Sequence, residues 1–463
     1  MSSDKNFSIR DKAYAPPQAE FGRIETSFEA FYEVRSPRFR RLSPAIQPTP
    51  PSVRYPSGVA TLTGPRRFLF GSLRAALLAT LSIFAAAFTT PSIAIAAAVS
   101  APTPASLGID PAPLAALDAD IASAKLPLVD SLLVMRCGQV VFDRRYPHDY
   151  AAIYDKEAHT RGPLNARLTG RYNYFDPAWH PYYHGTDEHT MQSVSKTVTS
   201  ALIGIARTRG DFKAPLSTPV LHYFDAGKVK NVDARKRRMT LQNLLTMTSG
   251  LDWNEDVPYD DTTNPSDLME ATDDWVQFVI DRPMKTEPGS VFAYSSGATE
   301  LLAYIFKRET GTDIEAYARQ HLFSPLGITA YHWKRTPLGV VDTEGGLYLR
   351  AEDLAKIGQL YLDGGLWKGQ RLLAPEWIKE SMTPRIDAGE GFKYGYQWWL
   401  LPHGEPSRLA WVARGMGGQR MMVFPEDHLI VVSTAWHILN EASIEFDVVR
   451  RVLPGVHAQQ CSK

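Results

Sequence analysis

The chain has 463 residues, of which 44% are hydrophobic and 11% aromatic, so it holds enough apolar surface for a substantial core. Lys plus Arg and Asp plus Glu number 50 each, and no basic stripe is present, which argues against a nucleic-acid partner. Two cysteines are too few for a cysteine-based metal cluster and allow one internal disulfide at most.

The N-terminal part of the sequence is not typical of a folded domain. Residues 1–65 are rich in Pro, Ser and Arg without an apolar period, which predicts a disordered leader. Residues 66–98 combine a basic start, an uncharged apolar run and a small-residue end, the pattern of a signal peptide. An uncleaved membrane anchor is the alternative. Pro91 favours cleavage, so we expect export to the periplasm, with Val59 or Leu62 as alternative translation starts.

The two cysteines are Cys137 and Cys461. An exported chain can oxidise them to a disulfide. The sequence does not show that they lie close together, and we expect two free thiols.

From residue 102 the composition becomes that of a globular domain. Apolar alternation around Cys137 predicts a β-hairpin over 130–146. Residues 150–190 are polar and aromatic and are expected to be irregular, and a helix follows from Ser193 to about Gly210. Further helices are predicted over 241–247, 265–284, 295–311, 350–365 and 375–382.

The end of the chain returns to strands, followed by one more helix. Strands are predicted within 394–402, 408–415 and 420–436, and a helix over 441–453. Strands at both ends with helices between them predict an α+β fold of one domain, 102–458. We expect a central antiparallel sheet flanked by helices, with an inserted all-helical subdomain.

Ser193 and Lys196 form a Ser-x-x-Lys pair at the head of the first long helix. Residues three apart lie on one helix face, so the amine can reach the hydroxyl. Apolar residues at helical spacing predict that the helix is deeply packed: Val194, Val198, Ala201, Leu202 and Ile205. Partial desolvation is then expected to lower the pKa of Lys196 and let it act as a base. The alternative is a serine cap followed by a solvated lysine.

Five segments occur in an order that is similar to a known superfamily: "QSVSKTVTSALIGIA", "LLTMTSGLDW", "EPGSVFAYSSGATELLAYIF", "GGLYLRAEDLAKIGQLYLDGGLW" and "ARGMGGQRMMVFPEDHLIVV". Together they resemble the serine β-lactamase and penicillin-binding protein superfamily. They are most similar to its class C-like branch of esterases, DD-peptidases and 6-aminohexanoate-dimer hydrolases. The resemblance covers roughly residues 102–455, and it implies acyl-serine chemistry that needs no metal or organic cofactor.

The resemblance assigns roles to the first two motifs. It makes Ser193 the nucleophile, Lys196 its lysine and Tyr294 the phenol that carries protons, with a pKa expected to be lowered by Lys196. A buried aromatic residue before a helix is the alternative for Tyr294. Ser296 stands where the family's asparagine usually does, and it is either a substrate contact or the N-cap of the next helix.

The third motif departs from the family's pattern. Here the chain reads Arg414-Gly-Met-Gly-Gly, with no Lys or His at the place of the family's cation. Gly415 and Gly417 are expected to let a substrate lie against the strand, and the Met416 N–H to complete the oxyanion hole with that of Ser193. Gly417 is the alternative donor, and an ordinary glycine turn is the alternative structure. Without the cation, efficient β-lactamase or DD-peptidase activity is not expected unless Arg414 points inward.

Two other groups of residues were considered as sites. Histidines and carboxylates between 180 and 189 suggest a metal site, but Pro181 and Gly185 interrupt any helix that would align them, so we interpret them as loop residues. The loop that follows Gly250 is expected to cover the site. Four of its residues are candidates for substrate contact: Trp253, Asn254, Glu255 and Tyr259.

The sequence therefore predicts an exported serine hydrolase that cleaves small esters or short linear amides through an acyl-serine intermediate. Its partner is a small-molecule substrate, with a membrane tether if the apolar segment stays uncleaved. The alternative is a catalytically silent homologue that binds cell-wall peptide or a protein partner.

Overall fold

The structure is a computed structural model that describes residues 102–165, 170–257, 261–404, 408–439, 444–458 and Cys461. The chain divides into Met1–Ile93 and Ala94–Lys463, and all described residues belong to the second unit. The predicted leader and signal segment and Tyr259 lie outside the described residues. Within the described ranges, no helix is both long and apolar enough to cross a membrane.

The two ends of the domain build one antiparallel sheet, as predicted. The described strands are β1 (Val129–Arg136), β2 (Gln139–Arg145), β3 (His189–Thr190), β4 (His332–Trp333), β5 (Leu347–Leu349), β6 (Leu366–Trp367), β7 (Gln370–Arg371), β8 (Ile386–Gly389), β9 (Phe392–Tyr394), β10 (Trp399–Pro402), β11 (Leu409–Gly415), β12 (Gln419–Phe424) and β13 (Leu429–Ala435). Eight of them form the large sheet in the order β2-β1-β13-β12-β11-β10-β9-β8. The first hairpin therefore pairs with the last strand of the chain.

Both faces of this sheet are buried, which explains why its central strands contain runs of consecutive apolar residues. In β1, Leu133 and Met135 pack into the core on the side of the Ser193 helix, whereas Leu132 and Val134 pack into a second core. Alternate residues of a strand point to opposite faces, so a continuous apolar run fills both cores at once.

Helices cover both faces and fill the middle of the chain. The described α-helices are α1 (Pro111–Ala122), α2 (Tyr150–Ile153), α3 (Asp155–His159), α4 (Val194–Arg209), α5 (Ala234–Arg238), α6 (Leu241–Leu245), α7 (Pro265–Glu270), α8 (Trp275–Ile280), α9 (Ser296–Thr310), α10 (Ile314–Ala318), α11 (Ser324–Leu326), α12 (Ala351–Leu362), α13 (Pro375–Ser381) and α14 (Glu445–Asp447). The predicted α+β fold, an antiparallel sheet with flanking helices, is confirmed.

One predicted helix is wrong. The segment 265–284 is two helices, α7 and α8, because Asn264 and Asp274 each cap a new N-terminus with their side chains. The predicted last helix is also shorter than expected, since its α-helical part is only α14, followed by a π-helical turn over Val448–Val452.

Helix α4 lies within the larger core. Its first thirteen residues, Val194 to Ala206, are all buried, which confirms the packing predicted from its apolar period. Gly210 ends it in a left-handed conformation at φ 79°.

The expectation of two free thiols is wrong. Cys137, in the turn between β1 and β2, is bonded to Cys461, 324 residues away. The contact arises because the C-terminal segment returns to the first hairpin: Arg136 donates from Nη1 to the Leu107 carbonyl at 2.6 Å and from Nη2 to the His457 carbonyl at 2.5 Å. The sequence does not indicate this proximity.

Removing the disulfide is expected to destabilise the domain without changing the active site. Loss of a native disulfide typically costs about 2–5 kcal/mol, and in the chain-entropy description the cost is greatest for a long closed loop. The double variant Cys137→Ser/Cys461→Ser is expected to melt several degrees below the wild type, with unchanged activity at low temperature. Calorimetry with and without reductant checks this. A variant as stable as the oxidised wild type would contradict it.

Candidate active site

Ser193 lies at the junction between an extended segment and helix α4. It is the N-cap residue of the helix, and Gln192 before it adopts a left-handed conformation with φ 47°. This sharp turn brings the Ser193 hydroxyl to the start of the helix. The first backbone N–H groups of a helix have no hydrogen-bond partner within the helix. Among the hydrogen bonds of the described residues, none uses the amide of Ser193 or of Met416 as the donor.

Lys196 reaches Ser193 on the same helix face, as predicted. Its Nζ lies 2.8 Å from Ser193 Oγ, 3.1 Å from Ser296 Oγ and 2.8 Å from the carbonyl oxygen of Glu344. The Glu344 carboxylate is 3.3 Å away, and the ammonium also lies 5.2 Å from the centre of the Tyr294 ring. Lys196 is 1% exposed, so the alternative of a solvated lysine is wrong.

The predicted direction of the Lys196 pKa is wrong. Burial on its own lowers the pKa of this amine, but the neighbouring Tyr294, Glu344 and Glu255 together raise it above its ordinary value. At neutral pH Lys196 is therefore an ammonium that donates hydrogen bonds to Ser193 and Ser296. The sequence prediction considered burial and did not include these partners, which are distant in the chain.

The predicted direction of the Tyr294 pKa is wrong as well. Burial raises the pKa of the phenol, Glu255 and Glu344 raise it further, and the nearby Lys196 and Ser193 lower it by less than these effects together raise it. Tyr294 is half-buried and its ring lies 5.5 Å from that of Trp399. At neutral pH it is a neutral phenol next to a cation and next to the nucleophile.

Ser296 is brought into the site, but it contacts Lys196 and Glu255. Its hydroxyl donates to Glu255 Oε1 at 2.7 Å while its oxygen accepts from Lys196 Nζ. It is not the N-cap of α9 either, because Ser295 precedes the helix and its Oγ accepts from the Ala298 amide at 3.1 Å.

A small pocket opens beside Ser193. Its lining is polar and rich in carboxylates: Leu164, Tyr174, Gln192, Ser193, Ser266, Asp267, Glu270, Glu344 and Met416. Burial raises the pKa of Glu270 well above its ordinary value, whereas Lys196 and Lys334 hold the pKa of Glu344 below its ordinary value despite burial. Glu344 is therefore the ionised partner of the Lys196 ammonium. No lysine or arginine is among these lining residues.

The three candidate residues of the third motif lie in different surroundings. Met416 lines the pocket with Ser193. Gly415 lies against the chain before the nucleophile, where an added Cβ would overlap the carbonyl oxygen of Met191. Gly417, at φ 79°, packs against Trp436 and accepts from the His437 amide at 3.0 Å, so it faces away from the pocket lining.

Arg414 does not take the place of the family's missing cation. Its guanidinium lies over the rings of Phe392 and Trp399, at 4.7 and 4.9 Å, and pairs with Glu445 at 3.2 Å. The Trp399 ring thus contacts both Arg414 and Tyr294.

Two candidate residues of the loop after Gly250 are buried in the domain, whereas the loop was predicted to cover the site and contact substrate. Trp253 and Glu255 are 3% and 8% exposed, and the indole Nε1 donates to Glu255 Oε2 at 2.6 Å. Neither is among the pocket-lining residues, and Asn254 is exposed to solvent. Trp253 and Glu255 therefore contact neighbouring side chains and do not line the pocket.

The histidines near residue 180 have structural contacts. His180 stacks on Trp436 at 5.1 Å, and His189 Nε2 lies 3.0 Å from Asp130 Oδ2. In the described part of the chain, no cluster of His, Cys, Asp and Glu has the arrangement to hold a metal ion.

Sequence reasoning did not identify Glu344 or Glu270, and it did not recognise the role of Glu255. Glu344 precedes the Gly345-Gly346 pair of the fourth similar segment, and no local pattern in the sequence indicates that its carboxylate is buried.

Comparisons with known proteins agree with this geometry. The Beta-lactamase family matches residues 128–435, which is more than half of the chain. A 6-aminohexanoate-dimer hydrolase from Paenarthrobacter ureafaciens is 26% identical over 281 residues, covering 54% of this chain and 67% of the relative. The putative penicillin-binding protein PbpX from Bacillus subtilis (strain 168) is 25% identical over 223 residues, covering 41% of this chain and 52% of the relative.

A solved structure extends the comparison of the fold. A D-stereospecific amidohydrolase from Streptomyces sp. superposes with a TM-score of 0.54 at 14% identity, covering 74% of this chain and 99% of that chain. At this identity the likeness concerns the fold alone. With the family match spanning both the Ser193 helix and the sheet that carries Met416, the chain belongs to the Beta-lactamase family.

Proposed function

We propose that this protein is an exported serine hydrolase that cleaves small esters or short linear amides through an acyl-serine intermediate. The observation that carries the proposal is the contact of Ser193 Oγ with a buried ammonium, Lys196 Nζ, at 2.8 Å, with the Tyr294 ring centre 5.2 Å from the same ammonium. Binding alone requires no such arrangement. Tyr294 and Lys196 lie on different segments, 98 positions apart, yet both face one hydroxyl.

The hydrogen bonds support an assignment of the proton transfers. Because the Lys196 ammonium has only donors, the base in this proposal is the phenolate form of Tyr294, which the adjacent positive charge stabilises, and this phenolate takes the proton of Ser193 and becomes the neutral phenol. Ser193 Oγ then bonds to the acyl carbon, and the carbonyl oxygen becomes an oxyanion. In this proposal the amides of Ser193 and Met416 hold that oxyanion.

The second half of the reaction reverses these transfers. The tetrahedral intermediate expels the alcohol or amine, which takes the proton from Tyr294 as it leaves, so that Ser193 carries an ester. Water then attacks that ester while Tyr294 accepts its proton. Collapse returns the proton to Ser193 and releases the carboxylic acid.

The pocket favours neutral substrates over anionic ones. The residues that line it include carboxylates and no lysine or arginine, and Arg414 is engaged by Glu445. A β-lactam or cell-wall peptide brings a carboxylate that would find no cation there. The name of the 6-aminohexanoate-dimer hydrolase relative also supports linear amides as substrates.

The disulfide supports the export part of the proposal. Disulfides persist in oxidising compartments and are rare in the reducing cytosol. The bond between Cys137 and Cys461 therefore suits a protein that folds outside the cytosol.

Wild-type protein treated with a fluorophosphonate probe tests the proposal. Labelling is expected at the peptide that contains Ser193, together with turnover of p-nitrophenyl butyrate. The p-nitrophenyl monoester of succinate is the matched anionic substrate, and its kcat/KM is expected to be at least about tenfold lower, as for like charges a few Å apart at the protein surface. Inert wild-type protein would instead support the silent binding homologue.

A further inference from the structure

Glu255 is a buried carboxylate that lies near Lys196 and binds Ser296. One of its oxygens, Oε2, accepts from the Ser296 amide at 2.5 Å and from Trp253 Nε1 at 2.6 Å. The other, Oε1, accepts from the Ser296 hydroxyl at 2.7 Å. Three donors thus fix the orientation of the carboxyl group.

The hydrogen bonds of Ser296 are directional. A hydroxyl has one proton, and that of Ser296 is donated to Glu255 Oε1. Its oxygen is therefore left to accept from Lys196 Nζ at 3.1 Å. Because the ammonium only donates, the two contacts are compatible solely with the proton on the Glu255 side.

We infer that Glu255 is a positioning residue for the proposed reaction: it holds the Ser296 hydroxyl as the acceptor that keeps Lys196 Nζ against Ser193. The inference rests on the proposed function, because the geometry it maintains is that of the nucleophile and its lysine. The chain departs from its family at Ser296, where an asparagine is usual. A serine there can serve the lysine only if a neighbour takes its proton, and Glu255 does so.

The negative charge of Glu255 also affects the pKa values of the site residues. The groups that face Lys196 are Tyr294, Glu344 and Glu255, and each of them raises the pKa of the ammonium. Glu255 also raises the pKa of Tyr294. The carboxylate itself faces Lys196, which lowers the pKa of Glu255, and Glu344, which raises it, while burial is the largest effect and raises it.

The isosteric variant Glu255→Gln tests the directional argument. Two N–H donors hold the place of Oε2, so the amide oxygen must occupy it and the NH₂ group must replace Oε1. Ser296 would then face two donors, Lys196 and the new NH₂ group, and its own proton would lose the Glu255 acceptor that directs it away from Lys196. We expect kcat/KM for p-nitrophenyl butyrate to fall about 10- to 100-fold, the usual loss when a residue that orients a catalytic group is changed.

The pH profile separates positioning from a general loss of structure. Removing the buried negative charge lowers the pKa of both Lys196 and Tyr294. The deprotonated form of Tyr294, which is the base in the proposed reaction, therefore persists to lower pH. The acidic limb of kcat/KM is therefore expected to move to lower pH in Glu255→Gln. Glu309→Gln is the matched control, because Glu309 also accepts three hydrogen bonds and none of them comes from the site. This variant is expected to keep the wild-type kcat/KM and the wild-type acidic limb of its pH profile.

A double-variant cycle tests whether Glu255 acts through Ser296. Ser296→Ala is expected to lower the rate by a similar factor, and Glu255→Gln/Ser296→Ala to be no slower than the slower single variant. If the double variant instead lost the product of the two single fold-losses in kcat/KM, the inference would be overturned. A Glu255→Gln variant with the wild-type kcat/KM and pH profile would also overturn it. If Glu255→Gln fails to fold, a Ser296→Ala variant with the wild-type rate would overturn it alone.

A measurement without turnover keeps this inference separate from the proposed function. The side-chain resonance of Lys196 in protein with isotope-labelled lysine, assigned by its absence from Lys196→Ala, reports the pKa directly. A lower Lys196 pKa in Glu255→Gln supports the inference, and an unchanged one overturns it. Inert wild-type protein would refute the proposed function while this titration still decides the role of Glu255.

Discussion

Replacing Ser193 with alanine is expected to abolish turnover and probe labelling, with a fall in kcat of about a million-fold, the order of loss when a serine hydrolase loses its nucleophile. The Ser193 hydroxyl accepts from Lys196 Nζ, whereas Ser266, the other serine of the pocket lining, receives no hydrogen bond from a lysine among the described residues. The fold should be retained, because Ser193 is an N-cap residue whose side chain makes no cap hydrogen bond.

The matched control for this variant lies on the same helix. Ser200 is fully buried, and its hydroxyl has no hydrogen-bond partner within the described part of the chain. Ser200→Ala is therefore expected to keep the wild-type rate of p-nitrophenyl butyrate hydrolysis. Measurable turnover by Ser193→Ala above the background of a mock purification would contradict the assignment of the nucleophile.

The Lys196→Ala variant should acylate about 10²- to 10⁴-fold more slowly than the wild type, as expected when a group that assists proton transfer is lost. Without the ammonium, the Ser193 hydroxyl loses the donor at 2.8 Å and the Tyr294 phenolate loses its stabilising charge. The rate constant of fluorophosphonate labelling measures this step directly. A rate within a few-fold of the wild type would exclude Lys196 from the proton transfers.

Stability must be measured alongside, because Lys196→Ala also leaves the Glu344 carboxylate buried without its partner, a change that typically costs about 3–5 kcal/mol. Lys334→Ala provides the control. Lys334 is 1% exposed and pairs with Asp342 at 3.6 Å, so its removal also leaves a buried carboxylate without its partner. We expect a similar fall in melting temperature for both variants, and slow labelling only for Lys196→Ala.

Local patterns in the sequence were sufficient for the elements that form the site. The alternation around Cys137 predicted the first hairpin, and the apolar period from Val194 predicted α4 and its burial. Both are set by neighbours in the chain, so a single sequence contains the signal. Strands at both ends of the domain were sufficient to predict one antiparallel sheet built from distant segments. The pairing of β1 with β13 joins those segments.

The chemistry of the site depended on contacts that no local pattern encodes. Lys196 lies near Tyr294, Glu344 and Glu255, which are distant in the sequence, and these three neighbours reverse the expected direction of its pKa. The segment 265–284 was misread for a different reason, because helical propensity continues through it while Asp274 caps a second start. The bond to Cys461 is likewise a property of the fold.

The first and last segments of the described domain lie side by side. Ile109 and Val456 form a β-bridge, the Asp110 amide donates to the Gly455 carbonyl at 2.8 Å, and the His457 amide donates to the Gly108 carbonyl at 2.9 Å. A short linker would therefore join the two ends, and the chain could be reopened in an exposed loop such as the one around Gly227. Such a circular permutant would keep Ser193 and its partners on the same scaffold while placing its new termini elsewhere on the surface.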